Sequence, residues 1–285
     1  MHNDIITIGS FTIHGYGLMV AIGIIAAYIV MHLRAKRKGL DQDHAFWLII
    51  WCLIFGFLGS KILYIITILP QVTEDPSIIL SSLLDGWVMY GGLLGGILGG
   101  FLYCRWKKLN AWAYFDLGLV SVILAQAFGR LGCFLAGCCY GVETTSPIGI
   151  TFTHSEFAPN NVCLVPTQLI SSIGNFIIFV ILLIYDKYKR TEGQVTGMYL
   201  MLYSAGRFVL EFFRGDIARG SVGPLSTSQF IAIFTFAAGV IVWMARRKAE
   251  TAQAAQTEAA IENAEKAAEK SAETVQNKKD TDAEM

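Results

Sequence analysis

The chain has 285 residues and a mass of 31.4 kDa, with 54% apolar and 15% charged residues and a mean hydropathy of +0.52. An average soluble domain carries about 25% charged residues, so this composition argues against an ordinary cytosolic globule and excludes a disordered chain. The net charge of zero hides an asymmetry: residues 249–285 hold nine acidic and four basic residues, a −5 tail on a +5 hydrophobic body.

A membrane-spanning helix needs about 20 mostly apolar residues. Seven stretches approach that pattern: 17–33, 45–69, 87–104, 111–129, 168–185, 196–213 and 225–245. Buried helices of a soluble protein account poorly for so many. The expected fold is an all-α integral membrane body over 1–248, with 249–285 as a polar tail, helical or disordered.

Positive charge alternates along the chain. Arg34, Lys36, Arg37 and Lys38 follow the first segment, and Arg105, Lys107 and Lys108 follow the third. Lys187, Lys189 and Arg190 follow the fifth, and Arg246, Arg247 and Lys248 the seventh. The other connections hold only Arg130, Arg214 and Arg219. Lys and Arg favour the cytoplasmic side. The bias puts the N-terminus and the 130–167 loop outside and the C-terminus in the cytoplasm. Residues 1–16 lack the basic start of a cleavable signal peptide.

Several segments carry features that plain membrane helices do not need. The third reads GGLLGGILGG, with Gly91, Gly95 and Gly99 spaced four apart, as are Gly92, Gly96 and Gly100. That spacing lets helix backbones approach closely, or offers a surface to a lipid headgroup. Ionisable residues inside spans are costly and usually functional; here they are Lys61, Asp116, Arg207 and Glu211, with Arg130 directly after the fourth segment. Tyr203, Arg207, Glu211 and Arg214 fall on one helical face. The stripe reads either as a structural ion pair or as the wall of a polar chamber for an anionic group. Arg130 lies in GRLGCFLAGCCYG, where Gly129, Gly132, Gly137 and Gly141 permit an irregular backbone. An arginine in such a bend can grip a phosphate with two donors.

Cys52 and Cys104 read as small packing residues within spans. Cys133, Cys138, Cys139 and Cys163 belong to the outside loop, where one or two disulfides are expected. Metal binding is the weaker reading, because no CxxC pair is present and His154 is the loop's one histidine. A nucleophilic cysteine has no evident base partner in the sequence.

Four blocks together resemble the prolipoprotein diacylglyceryl transferase family of bacterial inner-membrane enzymes. IHGYGLMVAIG (13–23) is similar to its first-helix pattern, and GRLGCFLAGCCYG (129–141) to its signature, which usually reads GRxGNFxNGExxG. PTQL (166–169) resembles the start of its fifth helix, and YSAGRFVLEFFRGD (203–216) its sixth-helix block. The resemblance implies transfer of a diacylglyceryl group from phosphatidylglycerol to a lipobox cysteine thiol, forming a thioether and releasing glycerol 1-phosphate. It implies no metal or organic cofactor and no nucleic acid; the partners are phosphatidylglycerol, prolipoprotein lipobox peptides and membrane lipids. By position, Arg207, Glu211, Tyr90 and Tyr16 are the candidate catalytic residues, and Arg130, Arg214, Gly141 and Lys61 the candidate substrate-binding ones. Arg130 would hold the headgroup, and Arg207, oriented by Glu211, would stabilise the leaving phosphate.

This chain departs from the family pattern at several of those positions. Tyr90 replaces the family's catalytic histidine, and a phenol of pKa about 10 is a poor general base. Cys133, Ala136 and Cys138 replace the signature's Asn, Asn and Glu, Val165 replaces a histidine, and Lys61 an arginine. These losses leave a second reading: a protein of this fold that binds an anionic lipid or peptide without the transfer. A seven-helix photoreceptor would need a Schiff-base lysine in the seventh segment, and residues 225–245 contain none. A transporter would be supported by inverted repeats, which are not evident.

Overall fold

A computed structural model describes residues 4–8, 11–75, 78, 86–216, 220–249 and 251. The expected tail thus lies outside the described residues, apart from Ala249 and Thr251. Seven long helices carry the body: α1 (Gly15–Arg37), α2 (Gln42–Thr67), α4 (Met89–Trp106), α5 (Ala111–Ala136), α6 (Thr167–Tyr188), α7 (Gln194–Glu211) and α8 (Thr227–Ala249). A six-residue helix, α3 (Leu69–Glu74), follows α2.

The all-α expectation needs a small correction, since the described residues include three short antiparallel hairpins, one ahead of α1 and two between helices. They are β1–β2 (Asp4–Ile8 with Phe11–His14), β3–β4 (Ile150–Thr151 with Cys163–Leu164) and β5–β6 (Ser221–Val222 with Leu225–Ser226). The seven predicted segments each became a helix. Five of them, α1, α2, α5, α6 and α8, are long and apolar enough to cross a membrane. α4 and α7 have 18 residues each; six glycines dilute the first, and Gln194, Arg207 and Glu211 the second.

Local chemistry sets several helix ends. Asp41 caps α2 by accepting from Asp43 N at 2.8 Å and His44 N at 3.2 Å. Asn110 caps α5 through Trp112 N at 3.2 Å. Gly137 ends α5 at φ 74°, where Cys138 N returns to Cys133 O at 3.1 Å. α5 therefore runs seven residues past the predicted end, and Arg130 lies within a helix rather than in a bend. Leu131, Phe134 and Leu135 continue its apolar pattern, so nothing breaks it before Gly137.

α5 is the central helix, packed against α1, α6 and α7 and touching α4. Leu117, Val120, Ile123 and Ala127 along it are fully buried. α2 and α4 form a separate close pair along the glycine ridge. A Cβ on Gly95 would lie 2.2 Å from Phe55 O, and one on Gly91 2.3 Å from Gly59 O. The ridge serves backbone contact with α2, as the packing reading expects. Outward faces are apolar: Ile25, Phe57, Leu94, Ile173 and Phe234 are all exposed. Such a perimeter suits hydrocarbon, where apolar exposure costs nothing.

At the Asn110 end of α5, Asp116 is completely buried and fully paired. Its Oδ2 accepts from Lys189 Nζ at 2.6 Å and Gly193 N at 2.8 Å; its Oδ1 accepts from Thr196 N at 2.8 Å and Thr196 Oγ1 at 2.7 Å. Beside it Arg34 pairs with Asp186 at 2.7 Å and donates to Leu117 O at 2.6 Å. Burial disfavours the Lys189 ammonium, but Asp116 and Glu192 outweigh it and hold its pKa above the ordinary lysine value. Lys38 goes the other way: burial lowers it further than Asp186 restores. Asp116, an intramembrane charge in the sequence, is a structural clasp that fixes the start of α7.

Candidate active site

The opposite end of α5 gathers the other charged groups. Arg130 and Cys133 project from its last two turns, and the Gly137 turn carries Cys138 and Cys139. Tyr203, Arg207 and Glu211 come from α7, and Arg214 from the extended segment after it. Helical periodicity does not place Arg214, because α7 stops at Glu211. A backbone bridge between Gly141 and Arg214 does so, flanked by Val142 N to Phe213 O at 3.0 Å and Gly215 N to Tyr140 O at 3.2 Å.

The arginines form one electrostatic group: Arg130 and Arg214 both act on Arg207, and Tyr203 acts on Arg130 and Arg207. Arg207 Nη2 lies 2.6 Å from Glu211 Oε2 and donates to Ser228 Oγ at 2.9 Å. The Glu211 contact is close but too bent for a hydrogen bond, and Arg207 Nη1 is buried with no hydrogen-bond partner among the described residues. The Arg214 side chain is 4% exposed and grips Asp216 with two donors, Nε to Oδ1 at 2.9 Å and Nη2 to Oδ2 at 2.7 Å. Burial works against its charge, but Asp216 and Cys139 hold its pKa above the ordinary arginine value. Three guanidiniums therefore meet two carboxylates, and Arg130 has no ion-pair partner among the described residues. A buried cation surplus is costly unless an anion completes it.

The expected disulfide is absent, since all six cysteines are free thiols. Cys163 is drawn into β4, where its Sγ would lie 2.4 Å from a Cβ on Gly149. The other three converge instead, with the Sγ atoms of Cys133, Cys138 and Cys139 all within 4.8 Å of one another. Hydrogen bonds from Cys133 and Cys138, with Arg214 and Arg130 behind them, push the Cys139 thiol well below its ordinary pKa. The same hydrogen bonds, with burial, push Cys138 up.

The remaining candidates divide. Tyr16 belongs to this group: its ring and carbonyl each lie 3.2 Å from where a Cβ on Gly132 would sit, and Arg130 and all three cysteines are its electrostatic neighbours. Gly141 is buried and brings three segments together. A Cβ there would meet Val165 O at 2.5 Å and Phe213 O at 2.7 Å, so its side of the site is built of backbone. Lys61 stands over Tyr64 and Trp87, with ring centroids at 5.1 and 5.0 Å. Tyr90 is 39% exposed at the start of α4, and no hydrogen bond or ring contact joins it to the arginines among the described residues.

Sequence reasoning missed Ser228, which carries no local signal. Thr167 and Gln168 lay inside the PTQL block but were given no role. Gln168 Nε2 donates to Cys138 O and Thr167 Oγ1 to Cys139 O, both at 2.8 Å, so the pair pins the cysteine turn. An apolar groove of about 320 Å³ runs between α7 and α8, lined by Ser204, Ala205, Phe208, Val209, Ile233 and Phe236, among others, and by none of the charged residues above.

The family profile for prolipoprotein diacylglyceryl transferase matches residues 3–245. A protein of Clostridium tetani named phosphatidylglycerol–prolipoprotein diacylglyceryl transferase is 47% identical over 231 residues, which cover 81% of this chain and 92% of that one. The second so-named protein of Clostridium perfringens is 46% identical over 81% of this chain and 90% of its own length. One from Clostridioides difficile is 34% identical over 81% and 92%. With the profile match covering most of the chain and relatives at 34–47% identity, this multi-pass membrane protein belongs to the prolipoprotein diacylglyceryl transferase family.

Proposed function

We propose that the protein transfers a diacylglyceryl group from phosphatidylglycerol to the lipobox cysteine thiol of prolipoproteins, forming a thioether and releasing glycerol 1-phosphate. The observation that carries this reading is the cluster of Arg130, Arg207 and Arg214, in which Arg130 has no ion-pair partner and Arg207 Nη1 no hydrogen-bond partner among the described residues. A phospholipid offers both complements: a phosphate for the guanidiniums and acyl chains for the groove between α7 and α8. Charge builds on the phosphate as the glycerol C3–O bond breaks, so fixed cations there stabilise the transition state more than the ground state. In this reading Arg130 holds the phosphate with its free donors. Arg207, braced by Glu211 and Ser228, uses its unpartnered Nη1 on the leaving oxygen. Tyr16 and the Gly141 backbone line the chamber.

The body is read as seven spans in the plasma (inner) membrane of a bacterium, over residues 1–248, with 249–285 as a cytoplasmic tail. Eighteen residues of helix extend about 27 Å, close to a hydrocarbon core of about 30 Å, so α4 and α7 are long enough to complete the set. The lysine and arginine bias sets the N-terminus and the Gly137 end of α5 outside, where a prolipoprotein cysteine emerges.

One observation favours the second reading, an anionic-lipid or peptide binder without transfer. Tyr90 stands where the family has its histidine and makes no hydrogen bond among the described residues. The deciding experiment gives the purified protein phosphatidylglycerol and a lipobox peptide and looks for the thioether-linked product by mass spectrometry. Product formation supports the transferase; bound phosphatidylglycerol with no product after prolonged incubation supports the binder.

A further inference from the structure

The end of the body opposite the arginine cluster holds a second cavity, which the transfer reaction does not use. Its volume is about 320 Å³. Tyr185 and Tyr188 wall it from the end of α6, Arg190 from the turn that follows, and Gln194 from the start of α7. Trp243 and Arg247 close it from the last turns of α8, and Trp243 Nε1 donates to the Tyr185 hydroxyl at 2.8 Å, tying α8 to α6.

Two consecutive arginines of α8 have opposite fates here. Arg246 is locked into the fold: its Nε donates to Glu192 O at 2.6 Å, and its guanidinium stands 5.4 Å from the Trp112 ring centroid. Arg247 lies over the Trp243 ring at 5.2 Å and makes no ion pair or hydrogen bond among the described residues. The two carboxylates that flank Arg190 in sequence are already committed, Asp186 to Arg34 and Lys38 and Glu192 to Lys189. The cavity therefore presents two guanidiniums, with Lys187 and Lys248 on the same helix ends.

We propose that this cavity binds the phosphodiester headgroup of an anionic phospholipid, at a site separate from the active site and on the other side of the membrane. The proposal goes beyond the transferase reading and does not depend on it. Size is the first argument: the volume lies at the small end of ligand cavities, enough for a headgroup and too little for acyl chains. Charge is the second. Guanidiniums grip phosphate oxygens with paired donors, and the lysine and arginine bias reads this end as cytoplasmic, where basic pockets between spanning helices take anionic headgroups.

The surface leading away from the cavity supplies the third argument. Ile181, Ile184 and Tyr188 fall on one face of α6, and Met244 and Arg247 on one face of α8. Ile181, Ile184, Tyr188 and Met244 are all exposed, so acyl chains can lie along both helices while the phosphate sits between the arginines. Tyr and Trp rings suit the headgroup level, with an apolar body and a polar tip. A soluble anion would use the arginines and leave the apolar faces without a role. A lipid held here bridges α6, the turn after it and α8, beside the Asp116 clasp, so it adds to stability and leaves the chemistry alone.

The test uses the full chain, stripped of lipid in detergent and titrated with dioleoyl phosphatidylglycerol or dioleoyl phosphatidylcholine. Native mass spectrometry counts the lipids bound. Wild-type protein should hold one more phosphatidylglycerol than R190Q/R247Q, whose affinity at this site should fall about 30-fold, and R247Q alone should fall about 5-fold. Phosphatidylcholine should bind wild type and variant alike. Both variants should keep the wild-type rate of any transfer, and phosphatidylglycerol should raise the melting temperature of wild type more than that of R190Q/R247Q. R247Q, which changes an exposed side chain, carries the test if the double variant fails to fold. Arg130→Gln should keep this lipid. Equal phosphatidylglycerol counts in wild type and R190Q/R247Q, with no change in affinity in R247Q, would overturn the site, as would loss of the lipid in Arg130→Gln. Displacement by inorganic phosphate at equal concentration would make the cavity a soluble-anion pocket and overturn the lipid assignment. Phosphatidylglycerol that binds only in E258Q/E262Q/E265Q/E269Q would hand the cavity to the acidic tail. Lipid bound here by a protein without transfer would leave this site standing and sink the transferase.

Discussion

The two ends of α5 pose the same problem and solve it oppositely. Asp116 and Arg130 are charges on one helix, about 21 Å apart at 1.5 Å per residue. Asp116 accepts four hydrogen bonds from three residues and faces a lysine at 2.6 Å. Arg130 has no ion-pair partner among the described residues, and its neighbours include two more arginines. A satisfied buried charge fixes architecture; a charge left incomplete among like charges is waiting for a ligand. In the sequence Asp116 was a charge within a span, and Arg130, directly after that span, a candidate for the headgroup.

The largest expected effect tests the satisfied end. Asp116→Ala leaves Lys189 buried without its main partner and frees two backbone donors of α7. Breaking such a pair costs about 3–5 kcal/mol, read as a large fall in melting temperature in phosphatidylglycerol-containing detergent. Because the folded pKa of Lys189 is raised, its contribution is present in full below the ordinary lysine pKa of about 10.4 and is lost as pH rises through the higher folded value. The wild-type melting temperature should therefore show no Lys189-dependent change near neutrality. A Lys189-dependent fall in melting temperature below pH 9 would contradict the assignment.

Next come the arginines. Arg130→Lys and Arg207→Lys each replace a planar fork by a point charge. Each should lose about 2–4 kcal/mol of transition-state stabilisation, about 30- to 1000-fold in kcat/KM for transfer. Melting temperatures should stay near wild type. If these variants lose stability and keep their rate, the two ends of α5 are the same kind of feature and the comparison fails.

A smaller effect is expected at the shell that holds the cysteine turn. Gln168→Met deletes the donor to Cys138 O and leaves a buried carbonyl unpaired, at about 1–3 kcal/mol. Transfer should fall about 10-fold in kcat/KM as the turn beside the arginines loosens. The smallest effect belongs to Tyr90→Phe. A half-exposed phenol with no hydrogen bond among the described residues should change stability by about 0.5 kcal/mol or less, and the transfer rate by less than about 2-fold, within the same small energy. A large loss of rate would return Tyr90 to the catalytic set.

Much of the site was legible because motifs are local. Arg130, Arg207 and Glu211 stood out as charges in apolar segments, and the structure brings all three together with Tyr16. Tyr90 was carried over by position alone, and Lys61 by position and as a charge within a span; both sit on the α2–α4 pair, whose tight glycine seam is its main contact. The glycine ridge was legible as a close-approach surface because its four-residue spacing is a property of one helix; that α2 is what it packs against was not. The disulfide expectation failed for the opposite reason. Clustering along the chain gave four cysteines equal standing, while β4 carries Cys163 away and the Gly137 turn folds the other two onto Cys133.

Sequence alone thus determined seven helical segments, the apolar perimeter, the family blocks and the identity of the arginines. Each follows from composition or short-range periodicity, which acts within about two turns of chain. Tertiary structure decided which charges are paired. The partners of Asp116 lie 73 to 80 residues away, and Arg207 finds Ser228 across a helix pair. It also decided that three thiols meet, and that Arg214 enters the site through a bridge to Gly141 rather than along a helical stripe. Contacts of that kind depend on how helices pack and where turns aim their side chains, and no local pattern encodes either.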